Sequence, residues 1–374
     1  MPVPHKLISQ AEKKLPAKAS AAEKKFLAAF AEKITDDDLG LMDAQTLMRM
    51  TGTHYDLMQQ RKPGKALVRV HNPITDDKDW PLSSTVIDFV DDDMAFQIDS
   101  ITAEITRLGQ TIFLITHPLL HVTRDAKGKI TDCLPEASPK TFPQSHIHVQ
   151  LTRMLTPQQC AELQANLEQI ANDVRYSTGD WLTMREKIRT CESSLSQAPS
   201  SYPDDAIEDY QAFLEYLYKD NFTILGYREY AYEKDAKGVM TAKAVKNSHL
   251  GLLRREVKTE IMPEGVDALP PHLAKLYKDD SLVRVFKLAR KSSVHRHVPL
   301  DAVMVRLFDR TGKARGEAVF VGLFTSVTYS RSIRDIPYLS RKTSIIMNRA
   351  SFFPGGTPRS TRPLSHILEK LSAR

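Results

Sequence analysis

Apolar residues in the first sixty positions recur at helical spacing. Phe26, Phe30 and Ile34 form one stripe behind Ser20 and Glu23, which make a capping box. A second helix is predicted from about Asp43 to Gln60, stopped by Pro63-Gly64, while Lys-, Ala- and Pro-rich residues 1–19 read as a frayed end. Ala66–His71 (ALVRVH) alternates as a strand, and Asn72-Pro73 ends it. In Val86–Ser100 (VIDFVDDDMAFQIDS) a buried apolar run ends in Asp91, Asp92 and Asp93. The spacing then changes to that of a helix through Phe96, Ile101, Ile105 and Leu108. Thr111–Arg124 is a long strand, with a break or bulge expected at His117-Pro118 because proline lacks the ladder donor. After the turn Asp125-Ala-Lys-Gly128 and a Pro-rich loop, Ser145–Leu151 (SHIHVQL) alternates as another strand. Thr156-Pro157-Gln158-Gln159 opens a helix with Leu163, Leu167, Ile170 and Val174 on one face. A further helix after Gly179 carries Trp181, Met184, Ile188 and Leu195.

The order strand–helix–strand–strand–helix, with an extra strand near residue 68, predicts a ferredoxin-like α+β unit. Gln197–Tyr202 (QAPSSY) reads as a linker. Beyond it, a helix from Pro203, an aromatic strand Asn221–Tyr232, the turn Asp235-Ala-Lys-Gly238 and strands at Ser281–Ala289, Asp301–Asp309 and Glu317–Ser326 predict an antiparallel, strand-rich unit. The last two strands are joined by Asp309-Arg-Thr-Gly312. Helices are expected at Ser340–Arg349 and Leu364–Leu371.

Length and composition refine this picture. A chain of 374 residues with 41% hydrophobic and 26% charged residues has the profile of a soluble protein of two or three domains. It has no apolar run of membrane-spanning length, and no signal peptide is evident at the start. Cys133, Cys160 and Cys191 are odd in number and far apart, which speaks for a reducing, cytoplasmic setting over disulfides or structural zinc. Between Tyr329 and Arg374 stand nine Lys or Arg against two acids, enough to account for the whole formal charge of +6. This end lacks the aromatic interleaving of a single-strand nucleic-acid platform, so Arg331, Arg334, Arg341 and Lys342 are read as a face for another protein region.

The fifteen glycines form neither GxGxxG nor GxxxxGK[ST], so no Rossmann or P-loop phosphate site is present, and GxSxG and HExxH are missing too. No residue is assigned to catalysis, and no cofactor to this chain. His146-x-His148 and His295-x-His297 each put two imidazoles on one face of an extended segment, but neither has an evident third ligand. Strand-face or surface histidines are the preferred reading, with no metal assigned. Arg228 reads as an internal partner to a carboxylate, and the basic run 290–297 as a loop or a face for a neighbouring domain. The acidic corner after the apolar run Val86–Val90 is either a helix cap or a small-ligand site.

Several blocks occur together and in order: FVDDDMAFQIDSI (89–101), HPLLHVTRDAKGKI (117–130), NFTILGYREYAY (221–232), HLGLLRRE (249–256), SSVHRHVPLDAVMVRLFDRTGKARGEAVFVGLFTS (292–326) and IPYLSRK (336–342). Together they resemble the N-terminal part of the large bacterial NAD-specific glutamate dehydrogenases, over roughly residues 25 to 374. Ala95 stands where that family usually has proline, and Gln97 where an apolar residue is usual. The resemblance implies a helical segment at 1–62, an ACT-like domain with trailing helices at 63–196, and a PAS-like domain at 203–330. A basic helical tail at 331–374 would then lead to further domains. It also implies a non-catalytic regulatory and oligomerisation region of an enzyme that converts glutamate to 2-oxoglutarate with NAD bound elsewhere. An amino-acid effector would sit at Asp92, Asp93, Met94, Ala95, Phe96, Asp99 and Ser100, with Asp93 and Asp99 accepting its ammonium. The alternative is a stand-alone sensing or interaction module.

Overall fold

The computed structural model describes residues 3–76, 80, 83–126, 130–134, 136–137, 141–234, 240–254 and 281–351. They divide into two compact units. The first holds the described residues up to Arg175 together with Ser293–His297, and the second holds the rest.

The first unit begins with helices α1 (Val3–Glu12), α2 (Ala21–Ala31), α3 (Asp36–Gly40) and α4 (Ala44–Gln60). Ser20 and Asp43 cap α2 and α4 by accepting from Glu23 N at 3.1 Å and Thr46 N at 2.7 Å. From Val3 on, the N-terminal stretch expected to be frayed is helical and packed. Leu7, Ala11 and Leu15 recur every four residues, which brings them to one side, and Ala11 and Leu15 join the core beneath α2 and α4. Surrounding lysines hide that stripe in the sequence.

Strands β1 (Leu67–His71), β2 (Val86–Asp92), β3 (Ile112–Thr116), β4 (Leu119–Arg124), β5 (Ile130–Leu134) and β6 (Phe142–Leu151) form one sheet. Its order is β1-β2-β6-β4-β5, with β3 also on β6, and every pair is antiparallel. Short helix α5 (Pro73–Asp76) follows β1. Helix α6 (Gln97–Arg107) follows β2, and α7 (Pro157–Gly179) follows β6. This is the expected ferredoxin-like order, with the fourth sheet position taken by β1 from upstream in the chain. The predicted long strand is split where proline removes its donor: Pro118 still accepts from His146 N at 3.0 Å, and both halves pair with β6. The sequence reading did not anticipate β5. Its five residues ITDCL carry a central aspartate and show no clean alternation, yet pairing with β4 buries Ile130 and Cys133.

Val86 to Asp91 are all buried, so both faces of β2 are covered. The register pairs Asp88 with His148 and Val90 with His146. Val90 lies in the core formed with the N-terminal helices, so the even-numbered residues of β2 face that side.

The second unit contains α8 (Trp181–Leu195), α9 (Asp204–Tyr216), β7 (Phe222–Lys234), β8 (Met240–Ala244), β9 (Leu250–Gly251), β10 (Val283–Lys291), β11 (Pro299–Phe308), β12 (Ala314–Phe324), α10 (Ser326–Ser330) and α11 (Pro337–Ser351). Its sheet runs β10-β11-β12-β7-β8, with β9 on β7, all antiparallel. The 309–312 hairpin turn is as predicted: Gly312 N donates to Asp309 O at 3.0 Å, at a φ of +80° that suits glycine.

The division of the chain differs from the expected one. Met184, Ile188, Cys191 and Leu195 of α8 lie in one core with Phe213, Val303 and Phe320, so this helix belongs to the strand-rich unit. The change of unit falls within α7, after Arg175. The stretch 197–202 is a packed turn: Tyr202 N donates to Pro199 O at 3.0 Å, and its ring lies 6.2 Å from that of Phe308. Its small and polar composition resembles a linker, but tertiary packing decides its role. The turn expected at 235–238 and the helix at 364–371 lie outside the described residues.

Candidate functional site

The corner between β2 and α6 is built on paired charges. Asp92 ends β2, with Arg61 Nη2 2.6 Å from Oδ1 and Arg175 Nη1 2.9 Å from Oδ2. Gly64 N, exposed by the turn that stops α4, donates to Oδ2 at 3.1 Å. Asp91 is buried against the same two arginines, with Arg61 Nη1 at 3.4 Å from Oδ1 and Arg175 Nη2 in close contact with it. Neither carboxylate caps α6. Their position at the end of a strand directs them to α4 and α7 instead.

Burial alone would raise the Asp92 carboxyl, but the hydrogen bond and charge of Arg61, with those of Arg175, hold it below its ordinary 3.8. For Asp91 burial wins over Arg175, and its pKa is raised. Because Asp92 titrates lower when folded, its stabilisation is complete above about pH 3.8 and is lost as pH falls through the folded value. Asp92→Asn is therefore expected to flatten the loss of stability as pH falls below about 3.8. Melting curves followed by circular dichroism across that range test this; an unchanged acid limb would remove Asp92 from the cluster's energetics.

The cap position of α6 is Phe96, with φ +70° and no side-chain cap bond. Left-handed backbone at a residue this large costs energy and is a mark of a constrained corner. Its ring lies 5.0 Å from that of His295, whose own φ is +67°. His295 Nδ1 is 2.8 Å from Asp99 Oδ2, and His295 N donates to Ser100 Oγ at 2.9 Å. Ser100 Oγ also donates to Phe96 O at 2.5 Å. Gln97, set where an apolar residue would be usual, is buried and donates from Nε2 to Asp92 O at 2.9 Å.

The structure therefore gathers Phe96, Asp99 and Ser100 under His295. It leaves Asp93 and Ala95 exposed and Met94 half-buried, and it commits Asp92 to Arg61 and Arg175. Arg61, Arg175 and His295 are the residues that sequence reasoning missed at this corner. Their distance along the chain left no local signal. A groove of about 430 Å³ opens between β1 and α7, lined by His71, Asn72, Cys160, Gln164 and Glu168, and contains none of the corner residues.

The proposed basic face is partly engaged within its own unit. Arg341 Nη1 is 2.8 Å from Asp209 and 3.3 Å from Asp205, Lys342 lies over Tyr338, and Arg331 over Tyr216. Arg334 follows the cap residue Ser332 in a short turn. Residues 352–374 lie outside the described residues. Arg228 is internally held, with a bond to a backbone carbonyl where the sequence reading expected a carboxylate: its Nη2 donates to Leu253 O at 2.9 Å.

His146 and His148 do share one face of β6, but only His148 is a satisfied strand-face histidine. Its Nδ1 is 2.8 Å from Asp88 Oδ1 and its Nε2 3.1 Å from Gln150 Nε2. His146 is fully buried against Phe26 and Phe30, with no hydrogen-bond partner at either nitrogen, and burial holds its pKa well below 6.5. All three cysteines are buried and free. No described helix is long and apolar enough to cross a membrane.

The model of the glutamate dehydrogenase ACT1 domain matches residues 26–167, which run from within α2 through α3, α4 and the whole first sheet to the first part of α7, and leave out α1. This chain matches the N-terminal, ACT1-bearing part of NAD-specific glutamate dehydrogenases. It is 30% identical to the NAD-specific glutamate dehydrogenase of Halomonas elongata over 353 residues, covering 89% of this chain and 21% of that protein. The Pseudomonas aeruginosa enzyme is 28% identical over 87% of the chain and 20% of its own length. That of Mycobacterium tuberculosis is 25% identical over 78% and 17% respectively. The chain thus spans about a fifth of the length of the curated relatives it matches. The ACT1 match begins at Phe26, within α2, and so takes in Phe30, α4 and Arg61.

Proposed function

We propose that this chain serves as the non-catalytic, N-terminal regulatory and assembly region of an NAD-dependent glutamate dehydrogenase, acting in the cytoplasm. The parent reaction would be L-glutamate, NAD and water to 2-oxoglutarate, ammonium and NADH, with NAD held in a catalytic region elsewhere. The observation that carries this reading is the ACT1 match over a ferredoxin-like sheet whose β2–α6 corner holds strained backbone and exposed carboxylates. A free amino acid is the proposed effector. Asp93 is open to receive its ammonium, and Asp99 and Ser100 become available once His295 moves aside.

The second unit is proposed to be PAS-type. Counting β7, β8, β10, β11 and β12 as first to fifth, its strands lie in the order second, first, fifth, fourth, third, so the outermost strands in sequence meet at the centre. Assembly with other domains of the same enzyme, and with further copies of it, is supported by exposed Val327, Ile345 and Ile346 close in sequence to Arg331, Arg341 and Lys342.

Glutamate, aspartate or another amino acid at millimolar levels is expected to raise the melting temperature of the chain. If no amino acid moves it, the effector role is lost while a purely structural role stands. Formation of NADH by the isolated chain on addition of glutamate and NAD would overturn the non-catalytic reading. A strict monomer in light scattering would limit the assembly role to contacts within one enzyme chain.

A further inference from the structure

The even-numbered face of β2 and β6 carries polar residues where a core sheet ordinarily carries apolar ones. Asp88, His146 and His148 all have 0% exposure, and so does His54, which α4 brings down onto this face. His148 Nδ1 and His54 Nε2 approach the same oxygen, Asp88 Oδ1, at 2.8 and 3.2 Å. The three ligand atoms all lie within 4.8 Å of one another. His54 has no hydrogen bond at either ring nitrogen. Its Nε2 lies 3.2 Å from Asp88 Oδ1 without the alignment of a hydrogen bond. A buried imidazole left in that state costs about 1–3 kcal/mol, which calls for a partner.

We propose that His54, Asp88 and His148 bind one divalent transition-metal ion of the zinc type inside the first unit. Two imidazoles and one carboxylate oxygen form a borderline-soft donor set suited to such an ion. A tetrahedral site at metal–ligand distances of about 2.0–2.2 Å needs donor spacings about 0.5–0.8 Å wider than the shorter one here, a movement within reach of side-chain adjustment. The surroundings already have the form of an outer shell. The second carboxylate oxygen, Oδ2, is held by Arg69 Nη2 and His71 Nε2, each at 3.2 Å. His148 Nε2 faces the Gln150 amide, which turned end for end would accept the N–H of a metal-bound ring. Arg69 is 39% exposed, so solvent screens its charge from the ion. His146, its ring 5.8 Å from that of His54 and also without a hydrogen bond, is available to complete the shell. The ion would fasten α4 to the sheet and so join the N-terminal helices to the strands they cover.

The test is zinc content and stability of the full chain after chelator treatment and reconstitution with zinc chloride. About one zinc per chain is expected to survive dialysis, with a higher melting temperature than the chelated protein. Cobalt chloride is expected to give the visible bands of a low-symmetry nitrogen–oxygen site. His54→Gln should lower zinc affinity by at least about tenfold, the scale on which removing even an outer-shell partner acts. The proposal fails if the wild-type chain retains negligible zinc, shows no cobalt bands and gains no stability. It fails equally if His54→Gln and His148→Gln retain zinc as well as the wild type, since the ion would then sit elsewhere.

Discussion

Arg61→Ala is expected to destabilise the first unit by about 3–5 kcal/mol, the usual cost of removing one partner of a buried ion pair. The Arg61 side chain is 2% exposed and that of Asp91 0%, so solvent cannot replace the lost charge. Arg61 also bonds to Asp92 at 2.6 Å and to the carbonyl of Lys65 at 3.2 Å, tying the end of α4 to the end of β2. For a unit of this size the loss corresponds to a fall of about 6–20 °C in melting temperature. Calorimetry on the variant measures it. Arg61→Lys should recover only part, since an ammonium cannot reproduce the planar fork that reaches both carboxylates. A loss below about 1 kcal/mol, the level of a surface pair, would mean that Arg175 alone holds Asp91 and Asp92. Because this cluster forms the floor of the β2–α6 corner, Arg61→Ala should also weaken any amino-acid effect on stability.

Glu317→Ala should have a comparable effect in the second unit. On β11 and β12, Val303, Val305, Ala318 and Phe320 belong to the core shared with α8 and α9, and Arg306 and Glu317 alternate to the other face. There the fully buried Glu317 carboxylate contacts Arg284, accepts from Tyr232 Oη, and lies 3.5 Å from Arg306 Nε. Burial, reinforced by the Glu317 charge, pushes the Tyr232 phenol upward, so it remains a protonated donor. Removing the carboxylate leaves two largely buried guanidinium groups without the anion they share, again at a cost of about 3–5 kcal/mol. Glu317→Gln keeps the shape and hydrogen-bonding capacity but not the charge, and should cost less. Denaturant titration of both variants separates the two contributions. Equal losses would show that shape and hydrogen bonding matter there and charge does not.

Some of the candidate corner was legible in the residues. The apolar run Val86 to Val90, the change to helical spacing after Phe96 and the three carboxylates between them place a strand-to-helix turn without any tertiary information, since both periodicities are local. What those carboxylates do was not legible. Asp91 and Asp92 bond to arginines 30 and about 84 positions away, and Asp99 to a histidine nearly 200 positions on. A reading of local pattern treats such residues as caps, because neighbours in sequence are the only partners it can see. His146-x-His148 shows the same limit. Strand alternation put both rings on one face, but His54 reaches that face from α4, and nothing in the spacing announces it.

By itself the sequence determined the element types, the ferredoxin-like order of the first unit and the antiparallel character of the second. Hydrophobic period, caps such as Thr156 with Gln159, and turns such as Asp309 to Gly312 act within a few residues. Only the tertiary structure decided that α1 and β5 form, that α8 joins the second core, and that β1 supplies the fourth place in the first sheet. These depend on which apolar face finds which partner, and burial is a property of the assembled core that no short stretch of chain carries alone.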